Sequence, residues 1–155
     1  MSLSGEAGSA ATAFPFAGTT ADRLDVADAV STFYRCADSG DIEGMSALLT
    51  EQVTVVRDGE AAELPRSQLT ARLAAEVGEE VVQRLVAGHL VDVVGDTAVC
   101  TAQAMVVRVP ASGELRAAGE VLRLELVRTV AGWSIARNEV SRRWSWRGSE
   151  EGVSS

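Results

Sequence analysis

The chain has 155 residues, 46% of them hydrophobic, which suits one domain with a single core. Its net charge of −8 argues against a nucleic-acid binder, because phosphate neutralisation needs a basic face. All fourteen basic residues are arginine, so lysine Schiff-base chemistry is excluded.

Residues 1–20, rich in Gly, Ala, Ser and Thr, read as a flexible arm, with Phe14-Pro15-Phe16 able to dock on the domain or on a second subunit. Thr20 is placed to cap a helix, with Asp22 and Asp25 in its first turn. Leu24, Ala27, Val30, Phe33-Tyr34 and Ala37 then recur at helical spacing to about Asp38, and Ser39-Gly40 stops the run. Asp41 caps a second helix expected over Ile42 to Leu49. Val53 to Arg57 reads as a short strand ending at the Asp58-Gly59 turn. Pro65 opens a third helix with a Leu69, Leu73, Val77 stripe, expected to continue over Glu79 to Leu85 after a break at Gly78. Four strands follow: His89 to Val94, Thr97 to Val109, Leu115 to Arg128 and Trp133 to Trp146. From Arg147 the chain reads as a second flexible segment. The result is an α+β domain over residues 21–146, its helices gathered before a meander of strands.

Cys36 and Cys100 are too few and too far apart for a disulfide framework and read as small buried hydrophobes. With a single histidine, no metal site is expected, and no cofactor is called for. No apolar run approaches the ~20 residues of a membrane span. No basic stretch leads into an apolar one as in a signal peptide, so the expected compartment is the cytoplasm.

His89 is the one side chain that titrates unaided near neutral pH, which makes it the natural proton carrier. Tyr34 is the only tyrosine, an apolar body with a hydroxyl able to orient a substrate oxygen. Alternation on the third of these strands sets Val121, Arg123, Glu125 and Val127 against Leu122, Leu124, Leu126 and Arg128. The charged face is either a cavity lining or open solvent.

Three stretches carry a family resemblance: Ala37-Asp38-Ser39-Gly40-Asp41 leading to Leu48-Leu49-Thr50, Gly88-His89-Leu90 before Gly95-Asp96-Thr97-Ala98, and Leu126 to Thr129 before Gly132 to Arg137. In this order the chain resembles the SnoaL-like group of the nuclear transport factor 2-like superfamily. The resemblance implies a cone: a strongly curved antiparallel sheet whose concave face is closed by three N-terminal helices. It also implies a small-molecule pocket and a homodimer joined through the convex face, where exposed apolar residues and Trp need cover.

By likeness to scytalone dehydratase in that superfamily, His89 and Asp41 are the candidate catalytic pair. Tyr34, Arg123 and Asn138 are candidate substrate-binding residues. The second histidine of that enzyme has no counterpart over Ala102 to Arg108. A ketosteroid-isomerase-like site is likewise not reproduced, since only Tyr34 offers a phenol. The expected function is cofactor-independent acid–base chemistry on an apolar, oxygenated molecule: cyclase, dehydratase or isomerase. The alternatives are a binding module without catalysis and the small subunit of a ring-hydroxylating dioxygenase. Function must be read from the site, because the fold hosts all of these.

Overall fold

The computed structural model describes residues 16–148. Helix α1 (Thr20–Ser39) begins one residue earlier than the sequence suggests, because Thr19 is the cap and its Oγ1 accepts from Asp22 N at 3.1 Å. Gly40 ends the helix in the left-handed region at φ 71°, where a side chain would be strained. Asp41 caps α2 (Ile42–Ser46) as expected, its Oδ1 accepting from Gly44 N at 2.9 Å. This helix stops well short of Leu49. The Leu48 carbonyl accepts from Ile135 N at 2.7 Å, so sheet pairing has already claimed the chain there.

Strand β1 (Leu49–Arg57) therefore starts earlier than Val53 and turns at Asp58-Gly59 into β2 (Glu60–Pro65), a strand the sequence did not announce. Its Glu-Ala-Ala-Glu stretch has little strand character, but positive φ at both Asp58 and Gly59 makes the tight turn that forces pairing. Helix α3 (Arg66–Glu79) follows Pro65 directly. The expected helical continuation to Leu85 is wrong: β3 (Glu80–Val94) begins at once. Val82, Arg84 and Val86 are less exposed than Val81, Gln83 and Leu85, the period of a strand and not of a helix. The rest, β4 (Thr97–Pro110), β5 (Leu115–Thr129) and β6 (Gly132–Gly148), runs as expected to within a few residues.

The six strands form one curved, unclosed sheet in the order β2-β1-β6-β5-β4-β3. Every neighbouring pair is antiparallel except β1 with β6. Bulges interrupt the register at Ala87/Leu90, Gly119/Glu120 and Glu125/Leu126, and such bulges bend and twist their strands. On the concave side, Leu122, Leu124, Leu126, Cys100 and Ile135 pack with Val26, Val30 and Phe33 of α1 in one core. Trp133 joins it, with the Arg128 guanidinium stacked 4.4 Å from its ring centroid. Arg128 also reaches Asp22 at 3.0 Å, which ties the start of α1 to the end of β5.

The expected flexible segments fall mostly on residues 1–15 and 149–155, Phe14 among them, which lie outside the described residues. Ala17, assigned to the arm, lies against β3. Its carbonyl accepts from Val93 N at 2.9 Å, and its own N–H donates to Asp92 Oδ1 at 2.9 Å.

Candidate functional site

A buried polar cluster grows from α1. Tyr34 and Asp38 stand one turn apart on the same helix face, so both look toward the sheet. Tyr34 meets Asn138 of β6. Asn138 Nδ2 donates to Tyr34 Oη at 3.0 Å, and the phenol O–H reaches Asn138 Oδ1 at 3.3 Å. Both residues are buried. Burial pushes the Tyr34 phenol up to about 12, against the opposing pull of the Asn138 hydrogen bond. It is therefore a hydrogen-bond donor throughout the physiological range and not a base.

Arg84 of β3 lies over the Tyr34 ring, 5.6 Å from the centroid, and forms a short ion pair with Asp38. Asp38 Oδ2 also accepts from Arg84 N at 2.8 Å. Tyr34, Asn138 and Arg84, with Val55, Leu73 and Arg57, surround a hollow of about 20 Å³. Arg57 borders in addition a wider opening of about 340 Å³ at the end of the concave face. There Glu80 holds Arg108 at 2.9 Å and Arg116 at 2.5 Å. Glu120 lines the same opening, and among the described residues its carboxylate makes no ion pair. The arrangement is a small hollow with Tyr34, Asn138 and Arg84 in its lining, which shares Arg57 with a charged opening large enough for a small molecule.

The structure brings together two of the five residues singled out in the sequence, Tyr34 and Asn138. Asp41 is occupied as the α2 cap. Arg123 lies on the opposite, convex face, exposed and paired with Glu125 at 2.6 Å, because the all-leucine face of β5 took the core. His89 sits apart from the hollow, at the Ala87/Leu90 bulge on the sheet edge, with Nε2 3.0 Å from Ser31 Oγ. Gly88 beside it has φ 68°, which turns the chain at that bulge.

Burial lowers the His89 pKa, and the nearby Asp28 charge opposes this only in part. The unfolded chain thus binds more protons than the folded one between the lowered value and the usual 6.5. Stability is expected to fall as pH drops below 6.5, and His89→Gln to remove that part of the slope. Urea midpoints of the two proteins, measured across that range, check this.

Asp38, Arg84, Arg57 and Glu120 went unrecognised in the sequence. For Arg84 a signal was present: Val82, Arg84 and Val86 alternate with exposed residues, which sets Arg84 on the inner face. Glu120 shares the alternation of the buried Leu122, Leu124 and Leu126, which sets it on the inner face as well. Among the described residues, no group of three or more His, Cys, Asp or Glu is arranged to hold a metal ion. No described helix is long and apolar enough to cross a membrane.

Comparison with solved structures returns the same fold at low identity. A protein from Kribbella flavida superposes with a TM-score of 0.76 at 19% identity, over 81% of this chain and 93% of its own. A protein described as a dehydratase of the NTF2-like family, from Streptomyces avermitilis, gives 0.71 at 23% identity, over 81% and 99%. One described as a scytalone dehydratase, from Novosphingobium aromaticivorans, gives 0.72 at 14% identity, over 83% and 91%. A search of the curated proteins finds no match. The family model of the SnoaL-like domain matches residues 18–139, which takes in α1 and most of the sheet, and the chain belongs to that family.

Proposed function

We propose that the concave site binds a small oxygenated molecule and moves a proton next to its carbonyl, the step shared by isomerases, dehydratases and cyclases. The observation that carries this reading is the buried Tyr34–Asn138 pair at the floor of the opening. Two neutral donors held in a dry site suit an oxygen that gains negative charge as its neighbouring carbon loses a proton. Only that oxygen fits the 20 Å³ hollow, so the ligand body occupies the mouth. Glu120, free of ion pairs and lining that mouth, is the carboxylate placed to accept the proton.

The test is solvent exchange of the α-protons of 1-tetralone in D₂O, followed by NMR. Acceleration over buffer that disappears in Tyr34→Phe supports proton transfer. Binding of the ketone without any acceleration favours the reading as a module that holds a ligand unchanged. That second reading draws support from the narrowness of the floor.

We also infer a homodimer through the convex face. Leu85, Met105, Gly119 and Trp144 stand in register across β3, β4, β5 and β6, and the three side chains are 65%, 47% and 46% exposed. An apolar row of this kind on an open sheet calls for cover. Met105→Glu is expected to convert a dimer to a monomer in light scattering at micromolar concentration. A monomer already in the unaltered protein would refute the pairing.

A further inference from the structure

The mouth of the site runs against the charge of the chain. Five arginines and three glutamates line it, a surplus of two positive charges in a protein of net charge −8. Glu80 is fully engaged, holding Arg108 and Arg116 together. Even so, Arg116 Nε is buried with no hydrogen-bond partner among the described residues. Among the described residues Arg57 and Arg142 form no salt bridge either, although Glu120 stands opposite Arg142 across β5 and β6.

These last two are neighbours by construction. Arg57 of β1 pairs in register with Val140, and Arg142 lies two residues further along β6 on the same side. Asp58 Oδ1 accepts from Arg142 N at 3.1 Å, which fixes the β1–β2 turn against β6 at this point. Two guanidiniums thus share one end of the concave face, and Arg57 touches both the mouth and the floor.

We propose that this end of the site is an anion subsite and that the ligand is a small organic acid. Its carboxylate lies on Arg57 and Arg142, whose planar forks match two carboxylate oxygens. That the other end of the same molecule reaches Tyr34 and Asn138 rests on the functional reading above; the anion subsite does not. Even with Glu120 opposite Arg142, the opening keeps a surplus of two positive charges, which favours an anionic ligand over a neutral one of the same shape.

Benzoate and its neutral counterpart benzamide separate charge from shape, and neither depends on the oxygen seat at the floor. Each is titrated into the protein while the arginine Nε–Hε signals are followed by ¹H–¹⁵N NMR. Benzoate is expected to bind at least about tenfold more tightly than benzamide, shifting the Arg57 and Arg142 signals, and to weaken as salt rises. Arg57→Gln and Arg142→Gln should each remove most of that preference, and Arg123→Gln on the convex face should leave it intact. Equal binding of the two probes, or binding of neither, overturns the proposal. The comparison on the unaltered protein decides this even if a variant folds poorly. Tetralone exchange is read with a neutral ketone, so it survives or fails independently.

Discussion

Tyr34→Phe is expected to lower turnover at the proposed site by roughly 10²–10³-fold, the usual cost of one oxyanion donor. The phenol is buried, pushed up to about 12, and bonded to a buried amide, so its proton is held in place before the substrate arrives. Deleting one oxygen removes the donor and little volume. Binding of the ground state should change much less than the rate, since the interaction strengthens only as charge develops on the substrate oxygen. Asn138→Leu is expected to cost as much or more, because it also strands the phenol in an apolar setting. With its pKa near 12, Tyr34 itself imposes no loss of rate on raising the pH through about 9. In contrast, His89→Gln is expected to keep near-normal turnover, since the imidazole is bonded to Ser31 at the sheet edge. Steady-state kinetics of the three variants on one substrate check this. Near-normal turnover in Tyr34→Phe with a large loss in His89→Gln would move the chemistry to the edge.

The fold was legible because its strongest signals are periodic. The leucines of β5 at 122, 124 and 126 are all buried, and helical spacing in α1 placed Val30, Phe33 and Tyr34 inside. The failures sit where tertiary pairing overrides local preference. Glu60 to Leu64 has no strand-like composition, yet the Asp58-Gly59 turn returns it along β1. Glu80 to Leu85 carries residues suited to either state, and the burial of Val82 decides for a strand.

Which side chains meet around the hollow was legible only in part, for a related reason. Residue type pointed to His89 as the proton carrier, but β3 is the edge strand of the sheet, so His89 lies at that edge, beside the Ala87/Leu90 bulge. Tyr34 and Asn138, 104 positions apart, meet only because β6 lies across α1. The same error that lengthened α3 hid Arg84, and with it the ion pair beside the phenol.

That ion pair carries the second large effect. Asp38→Ala is expected to destabilise the protein by about 3 kcal/mol or more, the cost of leaving one member of a buried pair alone. The Arg84 side chain is only 7% exposed, and it has no other carboxylate partner among the described residues. The substitution also removes the acceptor of Arg84 N. Arg84→Met should cost less, since Asp38 is more exposed and keeps that backbone donor. The double variant is expected to be more stable than Asp38→Ala alone, because methionine fills the space without an orphaned charge. Urea unfolding of the four proteins gives the coupling directly, and additive losses would show that the pair does not act as a unit. The consequence reaches the floor of the site, because Arg84 covers the Tyr34 ring. Asp38→Ala should therefore weaken the Tyr34-dependent rate even where the protein remains folded, and Arg84→Met combined with it should restore stability without restoring that rate.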